Sequence, residues 1–185
     1  MNIIWLSGKC GCGKTKLVDE IIRDFEGANR KALKLNGNDF VNFLLKEIKE
    51  HRSNDGAVNY CRNSDLLAVD DADYALIDKP HTQRVVKEVI QKITENYRTR
   101  VILVTQKRAG KLRNLKFNSN QCGYFRLKLP SSGSKRELVE KWLKQDNLII
   151  PPEKIKEITE KSDNLFQLKG LFNRETFKNY KLTKI

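Results

Sequence analysis

"GKCGCGKT", residues 8–15, has the form G-x-x-x-x-G-K-[ST], with Gly8, Gly13, Lys14 and Thr15 at the four defining positions. What flanks it decides the fold. Before it, "IIWL" (3–6) is a short apolar run that reads as a buried strand entering a turn at Ser7-Gly8. After it, Leu17, Ile21 and Phe25 recur at every fourth position and predict one face of a helix over residues 14–26, with Gly27 as its stop. A strand, a glycine-rich turn and a helix in that order make a phosphate cradle. Glycines let the backbone curl so that several N–H groups point inward at phosphate oxygens. The helix amino terminus adds partial positive charge. The cradle would be Gly8, Cys10, Gly11, Cys12, Gly13, Lys14 and Thr15, with Lys14 reaching the phosphates and Thr15 ligating Mg²⁺.

Outward from the loop, strand and helix patterns alternate. "KALKLN" (31–36) predicts a second strand, and Asn38 caps a helix carrying Phe40, Phe43, Leu44 and Ile48. Residues 52–63 are polar, include Gly56 and read as loop. "DLLAVDD" (65–71) is a third strand ending in two carboxylates. Pro80 suits the first turn of a helix with Val85, Val86, Val89, Ile90 and Ile93 on one face. "RVILVT" (100–105) is a fourth strand, 107–121 is basic and irregular, and "YFRLKL" (124–129) is a fifth, with Phe125, Leu127 and Leu129 to one side. The pattern changes after Pro130. Ser134 caps a helix with Leu138, Trp142 and Leu143; Pro151-Pro152 opens one with Ile155 and Ile158; Asp163 or Asn164 caps a third with Leu165, Leu168, Leu171 and Phe172. The expectation is a three-layer α/β core with a five-stranded parallel sheet over residues 1–130, and a small helical lid over 131–185.

Composition narrows the classes. Lys plus Arg total 36 against 23 for Asp plus Glu, a formal charge of +13, which suits a polyanionic partner as well as it suits a lysine-rich solvated surface. The sequence has neither a secretory pattern at its amino terminus nor an apolar run of membrane-spanning length, so a cytoplasmic location without membrane contact is expected. Cys10, Cys12, Cys61 and Cys122 would then be reduced thiols. Cys10 and Cys12 are only two apart and no C-x-x-C pair appears, so zinc is not expected, and these two fill small-residue positions in the loop.

Chemistry concentrates at the expected strand ends. Asp70 would hold Mg²⁺, and the adjacent Asp71 would polarise an attacking water as general base. Thr105 ends the fourth strand, where it would sense a terminal phosphate or orient water, or simply finish the strand. Lys107, Arg108, Lys111, Arg113 and Lys116 offer an arginine finger, a phosphate-backbone contact or a solvated face. His51 and His81 read as surface residues.

Several longer segments resemble a known family. "IIWLSGKCGCGKTKL", "LNGNDFVNFLLKEI", "YCRNSDLLAVDDADYALIDKPHTQ", "VILVTQKR" and "SDNLFQLKGLFNR" are similar to the AAA+ domain of the bacterial replication initiator DnaA, over nearly the whole chain. The resemblance implies an AAA+ core and lid that bind ATP or ADP with Mg²⁺, in proteins that form nucleotide-gated filaments on origin DNA or, like Hda, regulate the initiator. It places Gly8, Gly13, Lys14 and Thr15 on the phosphate loop, and Asp70 and Asp71 on the acidic pair. The departures are as informative. The family's lid arginine falls on Phe166, and the acid expected after the fourth strand falls on Lys107. The "SRF" finger segment is not recognisable in "NLKFNSNQCG", where Lys116 is the nearest basic residue. Only Met1 and Asn2 precede the first strand, and no helix-turn-helix module follows the lid.

Without a finger and a lid arginine, transition-state charge loses stabilisation; a finger alone is worth about 10³ to 10⁵ in rate in related NTPases. The expectation is therefore an ATP- or ADP-binding protein of replication initiation or its regulation, with weak Mg²⁺-dependent ATPase activity or none. Its partners would be a nucleotide, another AAA+ initiator or replication protein, sequence-independent nucleic acid, and copies of itself in an oligomer. Two alternatives remain at this level: a small P-loop nucleotide or metabolite kinase, and a degenerate, non-hydrolysing binding partner of an AAA+ initiator.

Overall fold

The protein is described here from a computed structural model covering residues 2–96, 98–106 and 112–182, with 178–182 as backbone. It divides into two compact units, one of residues 1–8 and 14–127, the other of residues 9–13 and 128–185.

The first unit is a five-stranded parallel sheet: β1 (Ile3–Gly8), β2 (Ala32–Asn36), β3 (Leu66–Asp70), β4 (Arg100–Thr105) and β5 (Cys122–Leu127), in spatial order β2-β3-β4-β1-β5. Period-two alternation sorts the strand side chains onto two buried faces. Ile3, Trp5, Leu67, Val69, Val101 and Leu103 share one core with residues of α2 (Gly37–His51), α3 (Asp55–Arg62), α4 (Ala72–Leu76) and α5 (Pro80–Thr94). Leu6, Leu66, Ala68, Ile102 and Val104 pack on the other face with Val18 of α1 (Lys14–Gly27). With both faces covered, β3 is buried at every position and reads as a continuous apolar run.

The second unit contains α6 (Ser132–Gln145), α7 (Pro152–Lys161) and α8 (Leu165–Leu182). Val139, Trp142, Leu143, Ile150, Ile155, Ile158, Leu168 and Phe172 form its core, with the Trp142 and Phe172 rings 5.3 Å apart. Lys135 is buried, and its ammonium donates to the Thr159 and Ser162 carbonyls at the end of α7. Those carbonyls have no partner inside their own helix, and a cation there also suits the helix dipole.

Several local expectations are corrected. α2 begins two residues earlier than predicted: its cap is Asn36, whose side chain accepts from the Asn38 N–H at 2.9 Å, so Asn38 lies inside the first turn. Likewise Ser131, not Ser134, caps α6 and accepts the Ser134 N–H. In both cases two polar residues within one turn satisfy the cap rule, and local sequence does not choose between them. Residues 52–63 are not loop throughout, since α3 buries Ala57, Val58 and Cys61. The buried face of α1 centres on Val18, while Leu17 is 40% exposed. β5 spans Cys122–Leu127 rather than 124–129; it is an edge strand paired with β1, and its Phe125 is 52% exposed. His51 and His81 are exposed, as expected.

Candidate functional site

The phosphate-loop sequence folds as its glycines require. Gly11 has φ +74° and Gly13 φ +99°, a region that side chains with a β-carbon rarely adopt. The Cys12 N–H turns back onto the Lys9 carbonyl at 3.3 Å. Lys14 starts α1, is buried, and donates from Nζ to the Gly8 carbonyl at 2.9 Å, while Thr15 is exposed. Cys10 is exposed and Cys12 buried. Within the second unit, Gly11 lies against the start of α8. The Leu165 N–H donates to the Gly11 carbonyl at 2.9 Å, and Asn164 accepts from the Phe166 and Gln167 N–H groups as the cap of α8.

The acidic pair stands at the carboxyl end of β3. Asp70 is 7% exposed; its Oδ1 accepts the Asp71 N–H at 3.0 Å, and its Oδ2 lies 3.7 Å from Lys34 Nζ. Asp71 takes a left-handed conformation, φ 51° and ψ 37°, just ahead of α4. Burial raises its carboxyl above the ordinary carboxylate range, and the negative charges of Asp70 and Asp73 raise it further. The Lys14 ammonium and a hydrogen bond from Gln106 act in the opposite sense. The loop lysine and the strand-end acid therefore feel one another at the same end of the sheet, where ligands of open parallel sheets bind.

Thr105 ends β4 at the same end of the sheet as Ser7 of β1. It is fully buried, beside Ser7 in the β1–β4 register, and its hydroxyl accepts the Trp5 indole N–H at 2.9 Å. The next residue stands nearer the chemistry. Gln106 donates its backbone N–H to Asp73 Oδ2 at 3.1 Å, its amide to the Tyr74 hydroxyl at 3.1 Å, and a side-chain hydrogen bond to Asp71. A sequence reading passes over Gln106 because nothing in its neighbourhood marks it. Lys34 and Gly37 were missed in the same way.

The oxygen donors suit a hard divalent cation. Mg²⁺ is usually held by one or two carboxylates together with substrate phosphates, not by an all-protein cage. Asp70 and the Thr15 hydroxyl fit that role, and the described residues contain no cluster of three or more His, Cys, Asp or Glu able to hold a metal alone. Of the basic candidates, Arg113 and Lys116 are exposed, whereas Lys107, Arg108 and Lys111 lie outside the described residues. Phe166, at the position of the lid arginine in the resemblance, is 72% exposed. Among the described residues, no helix is long and apolar enough to cross a membrane.

The sequence profile of the bacterial DnaA ATPase domain matches residues 1–121. The chain belongs to the bacterial DnaA ATPase domain family. Solved DnaA structures share its fold. Domain III of the Thermotoga maritima replication initiation protein DnaA superposes with a TM-score of 0.80 at 20% identity, over 99% of this chain and 78% of that one. AMPPCP-bound DnaA from Aquifex aeolicus gives 0.77 at 20% identity, over 98% of this chain and 56% of that one. A replication initiator DnaA bound to AMPPCP and single-stranded DNA gives 0.78 at 19% identity, over 98% and 59%. The chain thus spans little more than half the length of the longer DnaA chains. No curated protein matches it.

Proposed function

We propose that this DnaA-family chain binds ATP or ADP with Mg²⁺ and acts in replication initiation or its regulation, hydrolysing ATP slowly or not at all. The observation that carries the reading is the convergence of Lys14 and Asp71. A loop lysine and a desolvated strand-end carboxyl lie within electrostatic reach at the ligand-binding end of a parallel sheet. Gly8, Cys10, Gly11, Cys12 and Gly13 would supply backbone amides to the phosphates. Lys14 would leave the Gly8 carbonyl for them, Thr15 and Asp70 would hold the metal, and Asp71 would polarise water. Mg²⁺, when bound, would offset phosphate charge. Thr105 at the end of β4 would sense the terminal phosphate or orient water, and Gln106 would orient Asp71.

Slow turnover is supported by Phe166, an apolar ring that cannot supply the charged fork of an arginine. The family match favours an initiator-type role over a small kinase. The charge of +13, together with the relative solved on single-stranded DNA, supports sequence-independent nucleic-acid contact. Contact with another AAA+ protein or a further copy belongs to the same reading.

Calorimetry with ATP and ADP, followed by single-turnover hydrolysis, tests the proposal. Binding lost in Lys14→Ala, with little or no turnover, is the expected result. Absence of binding by folded protein overturns the nucleotide reading, and turnover at an ordinary AAA+ rate, abolished in Asp71→Asn, overturns slow hydrolysis.

A further inference from the structure

Lys34 sits where a soluble cation would be expected to have the acid to itself. It lies on β2, in register with Ala68 of β3, and Asp70 is two residues beyond Ala68. Positions two apart on a strand share a face, so Lys34 and Asp70 both project toward the side covered by α1. There the Lys34 ammonium is 2.5 Å from Asp19 Oδ1 on α1 and 3.7 Å from Asp70 Oδ2. The Asp70 side chain is 11% exposed, whereas that of Asp19 is 44% exposed. One ammonium thus stands between a buried carboxylate at the metal position and a wetter carboxylate on the helix that the phosphate loop opens.

We infer that Lys34, a cation of the chain itself, competes with the divalent metal for Asp70, so that nucleotide uptake by this chain depends only weakly on Mg²⁺. The inference rests on the nucleotide-binding reading above. A positive charge beside Asp70 offsets the field that would attract a metal ion, and an incoming ion is repelled by the ammonium unless Lys34 moves. Asp19 provides the alternative berth. Two consequences follow with opposite signs. Removing the Lys34 charge frees Asp70 for metal, whereas removing the Asp19 charge leaves Lys34 to Asp70 alone.

The experiment is a titration of ADP and ATP, in EDTA and at saturating Mg²⁺, for the wild type, Lys34→Met, Lys34→Arg and Asp19→Asn. Mn²⁺ electron paramagnetic resonance on the nucleotide complex reads metal occupancy directly. In the wild type the two conditions should give similar affinities. Lys34→Met should strengthen metal binding about fivefold or more, a usual size for coupled sites, and make nucleotide affinity steeply metal-dependent. Lys34→Arg should behave like the wild type, and Asp19→Asn should weaken Mn²⁺ binding. Equal metal dependence in the wild type and Lys34→Met, with nucleotide bound by both, overturns the role of Lys34 and leaves the nucleotide reading standing. No nucleotide bound by the wild type in either condition overturns both.

Discussion

Gly37 packs so closely on Asp71 that a β-carbon built on it would lie 2.7 Å from the Asp71 carbonyl oxygen and 2.7 Å from the Ala72 Cα. The left-handed turn that aims the acidic pair is thus pressed against the first residue of α2, which only a glycine can occupy at that distance. Helix propensity alone would favour alanine by up to ~1 kcal/mol. The obstructing atoms are backbone, however, and cannot swing aside, and overpacking of this kind costs about 1–3 kcal/mol. Gly37→Ala should therefore lose roughly 1–2 kcal/mol in urea denaturation and weaken nucleotide binding. Gly170→Ala is the control. Gly170 lies within α8 with nothing near its would-be β-carbon, so that change should stabilise by about 0.5–1 kcal/mol.

Gly11 makes the corresponding case inside the phosphate loop. Its φ of +74° already disfavours a side chain, and a β-carbon there would meet Asn164 Cβ and Cγ at 2.8 Å. Gly11→Ala should abolish nucleotide binding and disturb the cap of α8 together. Asn164→Ala separates the two effects. It removes the acceptor for the Phe166 and Gln167 N–H groups at a cost of about 1 kcal/mol, read by thermal unfolding, and leaves the loop glycines in place.

These two glycines mark what the sequence does and does not make legible. The loop could be read because its function demands a fixed spacing, and the strand before it and helix after it have clear periods. Gly37 could not, because the neighbour that forbids its substitution is some 34 residues away in the chain, and no local pattern records a long-range backbone contact. Thr105 and Gln106 show the same limit. Both end a buried strand and either would serve as a polar sensor on paper. Thr105 accepts the Trp5 indole N–H, and Gln106 bonds Asp71, contacts that no local pattern records. The five strands were legible through their apolar runs, but alternation says only which residues share a face and not whether anything covers an edge strand, so the exposure of Phe125 could not be read. Lys34 was invisible for a plainer reason: a lysine in a strand has no sequence mark that distinguishes a solvated side chain from one held beside Asp70.

The thiols give a prediction with a defined pH sense. Cys10 is exposed, whereas Cys12, Cys61 and Cys122 are buried. Burial pushes the Cys61 thiol up to about 12 and the Cys122 thiol up to about 11, from an ordinary 9.0. In native protein, a thiol reagent at neutral pH should label Cys10 rapidly and the other three only on unfolding, as counted by mass spectrometry. The folded state keeps the Cys61 and Cys122 protons that the unfolded chain releases above 9.0. Stability should therefore fall as pH rises through that window, by up to ~1.4 kcal/mol per pH unit for each thiol. Cys61→Ala should lose its share of that slope while lowering stability at neutral pH through lost packing.

Phe166 provides a gain-of-function test of why turnover should be slow. It is the second residue of α8, 72% exposed, at the position where the family resemblance places a lid arginine. Its backbone N–H is held by Asn164, so a substitution need not disturb the cap. A guanidinium there that pairs with the γ-phosphate of bound ATP would gain of the order of 1.5–3 kcal/mol. ADP has no such phosphate, so Phe166→Arg should bind ATP about tenfold or more tightly than the wild type while ADP affinity stays unchanged. Because the same charge would also act on the transferring group, single-turnover hydrolysis should rise in the variant, and Phe166→Leu should do neither. An equal gain for ATP and ADP would mean that the new charge acts as a general phosphate attractant, and the slow turnover would then need a cause other than Phe166.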